Sequence, residues 1–204
     1  MDPKNLMIAE FDYHLPDEKI AKYPAENRDT SRLLIYQNAA ISEDVFSNLG
    51  AYLPPDSLLV FNNTKVVEAR LLFKKSSGTT IEIFCLEPVE PHTDITSAML
   101  GTSRAQWKCL VGNAKKWKAE PLSKQLVIGG KEIRFSATKK GKYADVFVIQ
   151  FAWNDDNITF AEILHAAGVI PLPPYLHREA RKEDSSNYQT VYAKQPGSVA
   201  APTA

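Results

Sequence analysis

From residue 70 onward, apolar and polar residues alternate with a period of two, and that pattern predicts strands. Ile81, Ile83 and Cys85 alternate with Thr80, Glu82 and Phe84. Six strand-like runs follow one another, at 69–74, 79–86, 105–111, 124–128, 131–136 and 143–151. Turn residues separate them at Ser76, Ser77 and Gly78, at Gly129-Gly130, and at Lys140-Gly141. Two glycines between two strand patterns are a hairpin signal. The stretch from 70 to 150 therefore predicts an all-β module of about 80 residues, closed as a small barrel.

The flanking segments have a different texture. Residues 16–23 predict a short helix opening on Pro16, with Asp17 and Glu18 in its first turn. Leu33 to Tyr36 predicts a strand. Ser42 is placed to cap a helix whose apolar positions are Val45, Phe46, Leu49 and Tyr52. Pro54 and Pro55 end it, and the apolar run Leu58 to Phe61 predicts a buried strand. Thr159 and Glu162 form a capping box for a helix carrying Phe160, Ile163, Leu164 and Ala167, with Gly168 at its C-cap. Neither flank is long enough to bury a core alone. The pattern thus predicts an α/β (mixed α+β) domain, incomplete here, in two parts at 1–69 and 151–204. The β-barrel of residues 70–150 is inserted between them.

Charge changes this picture in one place. The 204 residues carry 24 basic and 24 acidic side chains. Residues 103–142 nevertheless hold eleven Lys or Arg against Glu120 and Glu132, which leaves that window at +9. A basic lobe on a neutral chain points to a polyanion, since pairing with phosphates releases their counterions. Lys115, Lys116 and Lys118 are the candidate RNA contacts. Trp117 interleaves with them, whereas Trp107 alternates with Cys109 and Val111 as a core residue does. The alternative is a solvated lysine-rich face.

Cys85 and Cys109 lie in strand patterns without histidines at metal spacing, so buried free thiols are expected, with a cross-strand disulfide as the alternative. No metal site is expected. The apolar runs are far shorter than the ~20 residues of a membrane span, and no basic-then-apolar leader precedes them. The cytoplasm is the expected compartment.

Candidate chemistry sits in the loops. Arg28, Ser31 and Arg32 place two guanidinium groups beside hydroxyls, suited to a phosphate or carboxylate. Ion pairs of these arginines with Asp29 or Glu26 are the structural alternative. Asn62, Asn63 and Thr64 follow an apolar run, where open α/β sheets bind ligands, though asparagines also serve turns. Arg70 comes soon after. The proline-rich segment 170–175 projects Tyr175, with His177 and Arg178 behind it. The last seventeen residues carry Tyr188, Gln189, Thr190 and Ser198 around Pro196-Gly197, then Ala201, Pro202 and Thr203. That loop has the composition of an active-site loop cut short. Dinucleotide, P-loop, zinc-protease and nucleophile-elbow motifs are all missing from the sequence.

These segments together resemble the S-adenosylmethionine:tRNA ribosyltransferase-isomerase family of queuosine biosynthesis. The resemblance runs through Phe11-Asp-Tyr-His-Leu-Pro16, Arg28-Asp-Thr-Ser-Arg-Leu-Leu34, Leu59-Val-Phe-Asn-Asn-Thr-Lys-Val66 with Ala69-Arg70-Leu71, Ile170-Pro-Leu-Pro-Pro-Tyr175 with Arg178, Tyr188-Gln-Thr-Val-Tyr192, and Pro196-Gly-Ser-Val-Ala-Ala-Pro-Thr203. Two positions depart from it. Asn63 stands where the family pattern has an aspartate, and Lys65 where it has an arginine.

The resemblance implies transfer and isomerisation of the ribosyl unit of S-adenosylmethionine onto a 7-aminomethyl-7-deazaguanine at the tRNA wobble position. Epoxyqueuosine forms, and adenine and methionine leave. S-adenosylmethionine is then a substrate, no cofactor is implied, and the partner is the tRNA anticodon loop. The resemblance further implies that family members continue beyond this chain. It is expected to be an N-terminal fragment, inactive by itself, and no residue of it is assigned as the catalytic base. Two other classes stay open on sequence: a non-catalytic RNA-binding module and an S-adenosylmethionine-dependent RNA methyltransferase.

Overall fold

The structure, a computed structural model, describes residues 3–89, 91, 94–172, 174–178, 181 and 183–198. The chain divides into two compact units, Met1–Leu59 with Pro174–Arg178, and Val60–Pro173 with Glu179–Ala204.

The first unit contains an antiparallel hairpin of β1 (Arg32–Gln37) and β2 (Ala40–Val45), with Leu34 opposite Glu43. Asn38 and Ala39 make its turn at φ 52° and 61°. Where a helix over 42–52 is expected, Ser42 instead lies in β2, and only Phe46–Tyr52 coils, as a 3-10 helix. The Asp44 carboxylate explains the early strand-to-coil switch. It accepts from Val45 N at 2.7 Å, Asn48 Nδ2 at 2.8 Å and Tyr52 Oη at 2.5 Å, replacing a helical cap at Ser42. Residues 16–23 are likewise not a helix. Only Asp17–Lys19 forms a 3-10 turn, and Ile20 is extended. None of the described side chains between 4 and 59 is buried, so this segment has no core of its own.

The second unit opens with β3 (Thr64–Val66). The expected strand at Leu58 to Phe61 is absent; these residues lie in neither helix nor strand and are exposed. An apolar run becomes a strand only where a neighbour completes its ladder, and no such neighbour exists among the described residues.

Beyond it, β4 (Arg70–Lys74), β5 (Thr80–Pro88), α1 (Ile95–Met99), β6 (Arg104–Gly112), β7 (Leu122–Ile128), β8 (Lys131–Tyr143), β9 (Val146–Trp153), α2 (Phe160–Ala167), β10 (Gly168–Val169), α3 (Asp184–Asn187) and β11 (Gln195–Ser198) follow. Seven strands form one antiparallel sheet in the order β10-β4-β5-β6-β9-β8-β7. The fold is mixed α/β, dominated by this curled sheet and with few helices.

The curl can be measured. Three strands separate β4 from β8, so a flat sheet would hold them roughly 19 Å apart at ~4.8 Å per strand. Yet the rings of Phe73 and Phe135, on those strands, are 5.6 Å apart. The alternating positions Leu71, Phe73, Ile81, Ile83, Trp107, Cys109, Ile133, Phe135, Ile149 and Phe151 all face the enclosed core.

Helix α2 fills that core. Its N-terminus is held by the expected capping box, in which Glu162 N donates to Thr159 Oγ1 and Thr159 N to Glu162 Oε2. Phe160 then enters an aromatic cluster, with ring centroids 5.5 Å from Trp107, 5.4 Å from Phe151 and 5.9 Å from Trp153. Lys124 crosses the gap between β7 and β4. Its Nζ donates to Leu72 O at 3.2 Å and Ala167 O at 2.8 Å, and burial pushes its pKa down.

The Gly129-Gly130 hairpin is present, at φ 57° and 81°. The expected turn at Lys140-Gly141 is not. These residues continue β8 through a bulge, and the chain turns at Ala144. Cys85 and Cys109 face each other across β5 and β6 as buried free thiols, with Sγ atoms 4.0 Å apart. Burial, then the contact with Cys85, pushes the Cys109 thiol well up. Among the described residues no helix is long and apolar enough to cross a membrane.

Candidate functional site

Segments far apart in sequence meet at β3. It pairs in parallel with β11, Gln195 opposite Thr64 and Ser198 opposite Val66. Val67 N donates to Ser198 O at 2.8 Å, and Lys194 N to Asn63 O at 2.7 Å. On the opposite side Gln189 substitutes for a strand. Its Oε1 accepts from Val66 N and its Nε2 donates to Val66 O, both at 2.8 Å. A primary amide mimics the peptide group, so one side chain satisfies both backbone groups of Val66. Thr190 Oγ1 donates to Asn62 O at 2.9 Å, and the rings of Phe61 and Tyr192 lie 4.2 Å apart.

Asn62, Asn63, Thr64, Gln189, Thr190 and Ser198 are thus brought together. They do not all remain available for a ligand. Asn62 accepts from Thr64 N at 2.8 Å, which makes it a turn residue, and Gln189 spends one acceptor and one donor bond on Val66. The side chains of Asn63 and Thr64 take no hydrogen bond among the described residues. Tyr188 closes α3, its N–H donating to Asp184 O. Arg70 lies in β4, its Nε 3.1 Å from Glu82 Oε1 but misaligned for a hydrogen bond, and its guanidinium is 5.9 Å from the Phe84 ring. Ala201, Pro202 and Thr203 lie outside the described residues.

The first unit holds the remaining candidates. Ser31 Oγ donates to Arg28 O at 2.9 Å, within the 3-10 turn Arg28–Thr30. Arg32 is engaged across the hairpin by Glu43, not by Asp29 or Glu26, which holds the Glu43 carboxyl below its usual range. Arg178 Nε donates to Lys22 O at 2.7 Å, and its guanidinium lies 4.7 Å from the Tyr23 ring. Tyr175 is exposed.

Beside β3 there is a hollow of about 290 Å³, with Lys65, Glu68, His165 and Ser185 as its polar lining and Met99 and Leu164 among its apolar residues. Glu68 Oε1 and His165 Nδ1 are 3.5 Å apart. Sequence patterns did not signal Glu68 or Ser185, and His165 read as a plain helical residue. Asp184 was also missed. It is the one buried charged side chain among the described residues, and it accepts from Arg181 N at 2.6 Å. A short polar helix gives no hydropathy signal for such burial. Among the described residues no group of three or more His, Cys, Asp or Glu is placed to hold a metal.

The predicted basic lobe is divided in its uses. Lys108 pairs with Glu87 and Lys131 with Asp155. Lys124 and Lys139 are turned onto backbone carbonyls. Trp117 is buried, its Nε1 donating to Glu120 O at 2.9 Å, so it belongs to the core rather than to a stacking surface. Lys115, Lys116 and Lys118 are exposed on the β6–β7 connection.

Residues 8–204 match the family described as queuosine biosynthesis protein. The chain belongs to that family. Relatives named S-adenosylmethionine:tRNA ribosyltransferase-isomerase include those of Trichlorobacter lovleyi, 39% identical over 98% of this chain and 53% of the relative, and Thermotoga petrophila, 39% identical over 98% and 52%. The Nitratiruptor relative is 35% identical, over 100% of this chain and 55% of its own length. The chain therefore spans about half the length of the curated relatives it matches. No solved structure matches it. As a queuosine biosynthesis protein, its β3 turn carries a neutral amide at Asn63. An amide does not take up a proton near neutral pH, so Asn63 can hold a hydroxyl or ring nitrogen but cannot act as a base.

Proposed function

We propose that the complete protein transfers and isomerises the ribosyl unit of S-adenosylmethionine onto a 7-aminomethyl-7-deazaguanine at the wobble position of tRNA. Epoxyqueuosine-tRNA forms, with release of adenine and methionine. The observation that carries this reading is the family match, continuous from residue 8 to 204, together with the relatives' shared name. S-adenosylmethionine is consumed as a substrate in this scheme, and the partner is the anticodon loop. The cytoplasm, where tRNA is modified, is the compartment.

Asn62 to Thr64, Tyr188 to Thr190, Ser198 and Ala201 to Thr203 would line the substrate pocket in the complete protein, with Arg70 at its rim. Their joint placement is supported by β3–β11 pairing and by the Gln189 bonds to Val66. Arg28, Ser31, Arg32, Tyr175 and Arg178 would contribute a second binding group, and Lys115, Lys116 and Lys118 would contact RNA. We further take residues 70–150 as a barrel inserted between two parts, 1–69 and 151–204, of one α/β domain, with α2 and β10 of the second part packed into the barrel's core and edge. The parallel pairing of β3 with β11 supports this, because it joins segments from before and after the sheet. Neither alternative class gains support from the comparisons.

Incubating the complete protein with S-adenosylmethionine and tRNA bearing the 7-aminomethyl base tests the reading. Adenine and methionine should appear in equal amounts. S-adenosylhomocysteine as the product would instead mean methyl transfer, and RNA binding without any product would mean a binding module.

A further inference from the structure

Lys74 ends β4, Lys75 follows it, and both lie outside the basic window seen in the sequence, yet folding joins them to it. Lys75 Nζ donates to Lys116 O at 2.7 Å, which ties the β4–β5 turn to the β6–β7 connection. Between the two loops is a cleft of about 430 Å³, lined by Lys74, Lys75, Ser76, Trp117, Lys118 and Ser123, among others. Glu120 is the one acidic residue of its lining. No carboxylate pairs with Lys74, Lys116 or Lys118 among the described residues. By contrast Lys108 and Lys131, elsewhere on the same sheet, are already neutralised by Glu87 and Asp155.

The frame beneath these cations is stiff. Trp117 is buried in the core, and Lys139 lies 5.0 Å from its ring while donating to its carbonyl oxygen. Backbone anchored in this way keeps the two segments that carry Lys74 and Lys118 at a set spacing, so less ordering is left for a ligand to impose. Ser76 and Ser123 add hydroxyl donors. No aromatic face is open to the cleft, because its tryptophan is in the core. Base stacking is therefore unavailable there, and phosphate contact is what the lining offers.

We propose that this cleft, with Lys74 and Lys118 as its free cations, holds the phosphate backbone of RNA away from the base being modified. The proposal rests on the tRNA reading for its partner. It assigns the cleft a sequence-independent role.

The test uses the complete protein and fluorescence anisotropy, with tRNA and with an unrelated RNA hairpin of equal length. A Lys74→Ala, Lys118→Ala variant is compared with a Lys108→Ala, Lys131→Ala variant that loses the same charge. The cleft variant should bind both RNAs roughly fivefold or more weaker at 0.1 M salt. Its log-log salt slope should fall by about 1–2, since each lost phosphate contact removes ~0.7–0.9. The control should keep the parental slope.

An unchanged slope in the cleft variant, an equal loss in the control, or a loss confined to tRNA would each overturn the proposal. Adenine release separates this outcome from the functional reading. If the parent releases adenine while the cleft variant binds normally, the cleft alone fails. If the parent releases none while the slope still falls as expected, the ribosyl-transfer reading fails and the cleft stands.

Discussion

Replacing Gly168 by alanine should unseat the end of α2 from the sheet. Gly168 has φ −90° and ψ 169°, ordinary extended backbone, so the glycine is not there for its conformation. It is there for space. A Cβ at this position would lie 1.9 Å from Glu68 O, 2.7 Å from Leu164 O and 3.0 Å from Glu68 C. All three are backbone atoms and cannot swing aside. An ordinary carbon contact needs ~3.5 Å, so β10 would have to retreat by about 1.5 Å. That retreat breaks the pairing of Gly168 and Val169 with Leu71 and Arg70, and strains the Gly168 N–H bond to Leu164 O.

Two or three lost hydrogen bonds at about 1 kcal/mol each, with up to about 1 kcal/mol more for overlap that the retreat leaves unrelieved, give a loss of roughly 2–4 kcal/mol. Urea unfolding followed by tryptophan fluorescence reads it directly, because Trp107 and Trp153 both pack on Phe160 of α2. With a slope of ~2 kcal/mol/M the midpoint should fall by about 1–2 M. Gly50→Ala, where a Cβ meets nothing within 4 Å, is the control and should stay within about 0.5 kcal/mol. A Gly168→Ala midpoint equal to the control would refute the steric argument.

Two further outcomes are expected in the same assay. Phe160→Ala empties the centre of the aromatic cluster and should cost about 3–5 kcal/mol; a loss below about 1 kcal/mol would mean the core closes over the gap. Glu162→Gln should destabilise at neutral pH, because hydrogen bonds from Thr159 N and then Thr159 Oγ1 hold the Glu162 carboxyl below its ordinary value of 4.5. A depressed folded pKa gives stability above the unfolded value that is lost as pH falls through the folded one. The gap between parent and variant should therefore close as pH drops below 4.5, and a constant gap would contradict the assignment.

The strands of the sheet were legible because each buries one face. Alternation at Ile81, Ile83 and Cys85, or at Trp107, Cys109 and Val111, records that burial; the exceptions are β8, which runs on to Tyr143 through the expected turn at Lys140-Gly141, and the unforeseen edge strand β10. The capping box at Thr159 and Glu162 was legible for a local reason, since both partners lie within one turn. The first unit was not legible in the same way. Leu58 to Phe61 reads as a buried strand, but among the described residues its apolar side chains find neither ladder nor core. At Ser42, helical spacing lost to the Asp44 carboxylate, whose three acceptor bonds no periodicity reveals. The candidate site was readable as a set of segments but not as a geometry. Gln189 read as a ligand group, and its pairing with the Val66 backbone was not foreseen. Lys124 and Lys139 counted toward a charged surface, yet both spend their protons on backbone carbonyls. Lys75 joins the basic cleft through a contact 41 residues away in sequence, and Lys74 lines the cleft beside it.

The bond between Gln189 and Val66 also constrains the order in which the molecule is assembled. The two residues are 123 positions apart in sequence. In an unfolded chain, closing so long a loop is slow and entropically costly. Once the sheet has formed, however, Val169 sits opposite Arg70. The path from Val66 to Gln189 then runs through that pair and is only roughly 25 residues long, which lowers the closure cost by about 1.4 kcal/mol, or tenfold in probability. The sheet thus acts as a splint for the motif residues, and they come into register after it has folded. During synthesis β11 leaves the ribosome after the strands of the sheet, so the β3–β11 pair can close only once those strands have emerged.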